Sequence, residues 1–142
     1  ELKIKLLCGR DKLKESVSNI IVAAMEPHEA LKYVKDKSLV ITPGDREDIL
    51  LSMISSHLAC AVNGTRISGI VLSGGIMPHK SVLNLMKSAN IPVLLAKEDT
   101  YRVAACIHDL TIKIRPEDKE KIKLVGEMVE EYVDIKRILE KI

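Results

Sequence analysis

The residues best suited to chemistry in this sequence sit in three short polar turns. Thr42-Pro43-Gly44-Asp45-Arg46 sets a guanidinium beside a carboxylate, and Ser73-Gly74-Gly75 offers a hydroxyl and two unshielded amides. Lys97-Glu98-Asp99-Thr100-Tyr101 adds carboxylates, a hydroxyl and a phenol. Such a set suits anion recognition. Backbone N–H groups at helix starts attract anions, a glycine pair lets a phosphate approach the chain closely, and arginine adds a forked donor. The candidate ligand site on this reading is Gly44, Asp45, Arg46, Ser73, Gly74, Gly75, Asp99, Thr100 and Tyr101, for a phosphorylated metabolite. The same residues have a structural use. Asp45 can cap a helix with Asp48 in the capping-box position, Asp99 can cap the next helix, and Arg46 can pair with Asp99.

Other chemistries lack their signatures. Ser73-Gly74-Gly75-Ile76-Met77 is neither Gly-x-Gly-x-x-Gly nor a phosphate loop ending in Lys-Ser/Thr. Ser73 does not lie in a Gly-x-Ser-x-Gly elbow. His28, His57, His79 and His108 are scattered, and His57 falls on an apolar helical stripe, which reads as a packing histidine. Cys8, Cys60 and Cys106 form no Cys-x-x-Cys pair, so neither a zinc site nor a disulfide framework is expected. Cys106, beside Ala104 and Ala105, reads as packing. No catalytic residue, metal or cofactor is expected.

The turns need elements to hold them. Apolar runs at Ile20–Ala24, Leu39–Ile41, Ile70–Leu72 and Val93–Ala96 are continuous, as in strands covered on both faces. Leu2–Leu7 alternates and reads as an edge strand. Between them, Ile49, Leu50, Met53, Ile54, His57, Leu58 and Ala61 recur at helical spacing, as do Val82, Leu85, Met86 and Ala89, then Val103, Ala104 and Ile107. Met25-Glu26-Pro27-His28 reads as the start of a helix carrying Leu31 and Val34, and Met77-Pro78-His79 as the start of the one carrying Val82 and Leu85, where proline in the first turn sacrifices no hydrogen bond. Strand and helix in alternation imply a three-layer α/β domain with a mainly parallel sheet and flanking helices. In such a sheet every strand-to-helix turn lies at the carboxyl edge, where ligands bind. The three turns, tens of residues apart, should therefore meet.

The chain reads as one domain over residues 1–142, with a sheet-containing core over 1–114 and a C-terminal helical tail over 116–142. In the tail Ile122, Val125, Val129, Tyr132 and Val133 share a helical face, Pro116, Glu117 and Asp118 suit its start, and Asp134 can cap a second helix bearing Ile135, Ile138, Leu139 and Ile142.

Composition narrows the partners. Apolar residues make up 46% of 142, yet there is no Phe or Trp and only three Tyr. The core must be aliphatic, and the lack of aromatic platforms argues against single-stranded nucleic acid. The net charge of +2, with both signs interspersed, leaves no basic footprint for nucleic acid or an anionic membrane. No apolar run approaches a membrane span, and a cytoplasmic location with reduced thiols is expected. A chain starting at Glu1 is compatible with a trimmed or partial protein.

In order, Leu39-Val-Ile-Thr-Pro-Gly-Asp-Arg46, Gly69-Ile-Val-Leu-Ser-Gly-Gly75 and Pro92-Val-Leu-Leu-Ala-Lys-Glu-Asp-Thr-Tyr101 resemble the DRTGG domain family. Asp45-Arg46 match the first part of the name, and Ser73 stands where Thr is usual, keeping a hydroxyl. Val22–Met25 and Ile112–Asp118 also resemble the family. The resemblance implies an α/β domain like the middle part of some bacterial phosphate acetyltransferases, or like the module between CBS domains of certain pyrophosphatases, where it looks like a dimer-forming spacer. It brings no catalytic residue. The expected function is a non-enzymatic regulatory or assembly module, homodimeric. The alternative is a metabolite sensor at the three turns, and an enzyme of acyl-phosphate metabolism is the least favoured reading.

Overall fold

A computed structural model of the chain describes residues 2–59, 66–110 and 119–132. The expectations placed on Cys60 and Ala61, on 112–118, and on the second tail helix after Asp134 lie outside the described residues. The backbone contacts divide the chain into two units, Glu1–Asp109 and Leu110–Ile142.

The first unit is built on a five-stranded sheet in the order β1-β5-β4-β3-β2. Its strands are β1 (Ile4–Cys8), β2 (Asn19–Val22), β3 (Ser38–Pro43), β4 (Ile67–Ser73) and β5 (Val93–Ala96). β2 to β5 run parallel to their neighbours, and β1 joins β5 antiparallel at the edge. The helices are α1 (Pro27–Tyr33), α2 (Glu47–Leu58), α3 (Lys80–Ser88) and α4 (Thr100–His108). α1, α2 and α3 contribute Ala30, Ile49, Leu50, Met53, Ile54, Val82 and Met86 to a buried cluster with Val40, Ile70 and Val93. On the opposite face Val103 of α4 packs with Ile41, Val71 and Ala96. The alternation of strand and helix thus yields the expected three layers, with the mainly parallel sheet in the middle.

Two local expectations are corrected. β2 is not covered on both faces: Ile20 is 47% and Val22 40% exposed, while Ile21 between them is buried. Among the described residues of the first unit, the face opposite α1, α2 and α3 carries α4 alone, and this helix packs over β3 rather than over the outermost strand. Pro27 begins α1 as expected, but Pro78 lies before the cap of α3. His79 is that cap, its Nδ1 accepting from the Ser81 N–H at 3.3 Å. The His79 N–H is itself held by Glu47 Oε1 at 2.6 Å, so the chain turns into the helix only after His79.

His57 is a packing residue with a testable consequence. Its Nδ1 accepts the N–H of Ile67 at 3.2 Å, tying the end of α2 to the start of β4. Burial pushes the imidazole pKa below its ordinary value, and the Arg66 charge adds to the shift. Because the folded pKa lies below the unfolded one, near ~6.5, the folded state binds fewer protons. The stability from neutral His57 is complete above that unfolded value and is lost as pH falls through the folded pKa. Thermal melting between neutral and mildly acidic pH should show this loss. His57→Asn, whose amide oxygen can replace Nδ1 as acceptor, should flatten the profile. An unchanged slope in the variant would remove His57 as its source.

The described part of the second unit contains one helix, α5 (Lys119–Tyr132). Among the described residues no helix is long and apolar enough to cross a membrane.

Candidate functional site

The parallel register places the carboxyl ends of β3, β4 and β5 side by side, with Pro43 opposite Ser73 and Leu72 opposite Leu95. The three turns follow directly and share one rim. Ser73 Oγ lies 2.7 Å from Thr100 Oγ1, joining the second turn to the third. Gly74 N–H donates to the Glu98 carbonyl at 2.7 Å, and Gly75 N–H to the Ala96 carbonyl at 2.8 Å. Both glycines have positive φ, 77° and 66°, the left-handed region in which glycine is favoured. The two amides expected to meet an anion are thus aimed at the β5–α4 turn.

Gly44 is buried against the chain that follows Gly75. A Cβ there would collide with the Ile76 carbonyl oxygen, and would lie 2.7 Å from the Ile76 carbonyl carbon. Glu47 Oε1 on His79 N–H ties the start of α2 to that of α3 a few residues further on. Glu98 Oε1 accepts from the Lys3 N–H at 3.3 Å, linking the rim to the edge-strand segment. Backbone N–H groups of Glu98 itself and of Lys3 hold this carboxyl below its ordinary pKa. Sequence reasoning missed Glu47 as a rim residue, and Glu98, though placed in the third turn, was given no role there. Both act on backbone groups distant in sequence, and no local pattern marks such a pairing.

Arg46 departs from the expected pairing with Asp99. Its Nε and Nη2 bind Asp48 Oδ1 and Oδ2 at 2.9 and 2.8 Å, a two-point pair. Nη2 and Nη1 also donate to the carbonyls of Met25 and Ala24 at 3.0 and 3.4 Å. The guanidinium hydrogen bonds hold Asp48 below its ordinary pKa. Arg46 therefore fastens the β3–α2 turn to the segment after β2, on the side away from β4. It also occupies the cap position of α2, without a side-chain cap. Asp45, expected in that role, is exposed, and its backbone carbonyl accepts from the Glu47 N–H. A tight turn closed by Arg46 N–H on the Pro43 carbonyl moves the helix start past Asp45. Asp99 does cap α4, with Oδ1 on the Arg102 N–H at 2.9 Å, and Tyr101 behind it is 83% exposed.

The rim thus joins Ser73, Gly74 and Gly75 directly to the Ala96–Thr100 turn. Gly44 is joined through Ile76, and Arg46 faces the neighbouring strand. Chemically it is a closed hydrogen-bonded seam, in which the Ser73 hydroxyl meets another hydroxyl rather than a base. Among the described residues no group of three or more His, Cys, Asp or Glu could hold a metal ion.

Comparison with known proteins gives three findings. The family model of the DRTGG domain matches residues 1–110. Phosphate acetyltransferases align over nearly the whole chain. That of Nitratidesulfovibrio vulgaris is 37% identical over 136 residues, 94% of this chain and 19% of the relative. That of Synechocystis is 30% identical over 141 residues, 97% of this chain and 20% of the relative. The chain therefore spans about a fifth of the length of these curated relatives. A solved structure is also similar, that of the CBS and DRTGG domains of the regulatory region of Clostridium perfringens pyrophosphatase, complexed with the activator diadenosine tetraphosphate. It matches with a TM-score of 0.60 and 22% identity, over 73% of this chain and 41% of that one. At that identity the likeness speaks for the fold.

Proposed function

The chain belongs to the DRTGG domain family, and from that premise we propose that it is a non-enzymatic regulatory or assembly module that pairs with a second copy of itself. DRTGG domains of this type occur within phosphate acetyltransferases and in the regulatory region of a CBS-containing pyrophosphatase. The observation that carries the self-association is the uncovered side of β2. Ile20 and Val22 face a cleft of about 530 Å³ shared with Tyr101, Ala104, Ala105, His108 and Asp109. Among the described residues β2 pairs with β3 alone, so an almost uncharged apolar face adjoins an open strand edge. A second copy fits both features, because a two-fold axis would bring the same apolar patch and the same edge together. The rim supports the non-catalytic half of the reading, since the Ser73 hydroxyl and the Gly74 and Gly75 amides are engaged in joining elements. Light scattering across a dilution series tests the proposal: the parent chain should dimerise, and Val22→Glu should be monomeric yet folded. A monomer at all concentrations would refute it.

A second reading, a sensor of a phosphorylated or adenine-nucleotide-like metabolite at Gly44–Arg46, Ser73–Gly75 and Asp99–Tyr101, is favoured by one feature. The starts of α2, α3 and α4 converge on this rim, each the positive end of a helix dipole. Calorimetric titration with adenine nucleotides, coenzyme A and acetyl phosphate tests it, with Arg46→Ala as control. Equal binding by the variant, or no binding by either, would reject it.

A further inference from the structure

Among the described residues the sheet has two outer strands, β1 and β2, and they are finished differently. β1 contains Lys5, follows Lys3, and shifts its register between Leu6 and Cys8. Edge lysines and irregular register keep an exposed strand from pairing with another chain. β2 reads Asn19-Ile20-Ile21-Val22, carries no charge, and pairs with β3 in unbroken register. Its edge lacks the protection that β1 has.

The backbone shows what that edge can take. Ala23 N–H donates to the Ile41 carbonyl at 2.9 Å. By the alternation along a strand Ile21 also faces β3, while Ile20 and Val22 turn their N–H and C=O groups outward. The amides just beyond them are already bonded: Ser18 N–H donates to the Lys37 carbonyl at 3.0 Å, and Ala24 N–H to the Val22 carbonyl at 3.1 Å. That carbonyl keeps a second lone pair. The open edge is therefore Ile20 and Val22, centred on Ile21. A second copy related by a two-fold axis through Ile21 sets Ile20 opposite Val22 twice, each pair exchanging two hydrogen bonds. Centring the axis on Ile20 or on Val22 would instead bring up the Ser18 or the Ala24 amide, neither of which is available.

The cleft above the strand suits the same arrangement. Ile20 and Val22 floor it, and Tyr101, Ala104, Ala105 and His108 line it from one stripe of α4. α4 packs over β3, so three strand spacings of about 4.8 Å would set the two copies of α4 roughly 14 Å apart. That is wider than the ~8–10 Å of direct helix contact, and leaves room for the longer side chains between them. The two helices run in opposite directions. Tyr101 at the start of one therefore comes to the end where the other finishes in His108 and Asp109. A phenol hydroxyl can donate to an imidazole or a carboxylate, and opposed helix dipoles are favourable.

We propose that β2 pairs antiparallel with β2 of a second copy about Ile21, so that the two sheets become one. This rests on the self-association proposed above and gives it a strand direction and a register.

The test uses the full chain with Ile20→Lys and Val22→Glu, separately and mixed, circular dichroism confirming that each is folded. Neither side chain is buried, so the fold should tolerate both changes. Sedimentation equilibrium should show each variant alone dimerising about tenfold or more weakly than the parent, because each sets a charge against an apolar neighbour across the strand pair. The equimolar mixture should regain about tenfold, since the introduced lysine then faces the introduced glutamate. The Ile20 and Val22 amides of the parent should exchange more slowly where it is dimeric than where it is dilute. A mixture no tighter than its components, or exchange at these amides that dimerisation leaves unchanged, would overturn the strand pairing while leaving the self-association intact. Variants that dimerise as well as the parent would do the same. A monomeric parent would sink both.

Discussion

Gly44→Ala should cost about 3 kcal/mol of stability, the upper end for forcing extra volume into a packed site. At this domain size that lowers the melting temperature by roughly 4 °C for each kcal/mol. The backbone at Gly44 does not have a positive φ, so the cost does not come from conformational strain. It comes from the Ile76 carbonyl, against which the new methyl would be driven. That carbonyl cannot swing aside as a side-chain tip could, because Gly74 and Gly75 just before it are bonded to the β5–α4 turn. Gly74→Ala is the informative comparison. There the φ of 77° imposes strain of about 1–2 kcal/mol, but the nearest atom to the new methyl is the flexible Ile76 Cδ1 at 3.3 Å. Chemical denaturation of both variants should rank Gly44→Ala as the more damaging. The reverse order would mean that the first and second turns are not locked together as the rim geometry requires.

Ile70→Ala should destabilise the domain by about 3–4 kcal/mol, within the range for emptying a large aliphatic site. Ile70 is fully buried in β4. It stands between Val40 of β3 and Val93 of β5 in register, under helices contributing Met53 and Met86. Strands on both sides and helices above leave little freedom for collapse into the cavity. Because β4 carries Ser73–Gly75 at its end, the loss should appear at the rim as faster amide exchange at Gly74 and Gly75. Ile20→Ala is the control, since its side chain is 47% exposed and its removal leaves no closed cavity. A difference between the two of less than about 1 kcal/mol would contradict the core assignment, given the 2–5 kcal/mol usual for such truncations.

Much of this was legible before any coordinates. The apolar runs at Leu39–Ile41, Ile70–Leu72 and Val93–Ala96 each coincide with strand residues, because burial on two faces demands uninterrupted aliphatic side chains. Asp99 as a helix cap and Pro27 as a helix start follow from chemistry contained within four residues. Where the determinants are less local, the expectation fails. Asp45 and Arg46 both have the chemistry to serve the start of α2, and only the pull of Asp48 and the Ala24 and Met25 carbonyls settles which does what. Ile20 and Val22 are as aliphatic as the buried runs, and periodicity cannot report how many helices cover each face.

By itself the sequence determined the alternation of strand and helix, the parallel sheet and the meeting of the three turns. These follow from local periodicity and from the geometry of parallel connections, which put every such turn on the same edge. Only the tertiary structure decided what the turns do on meeting: Gly74 and Gly75 amides turned onto the β5–α4 carbonyls, Glu47 holding His79, and Arg46 drawn toward β2. The physical reason is that a backbone amide or carbonyl carries no sequence signature. Its partner is set by which segments lie within hydrogen-bonding distance once the sheet has formed.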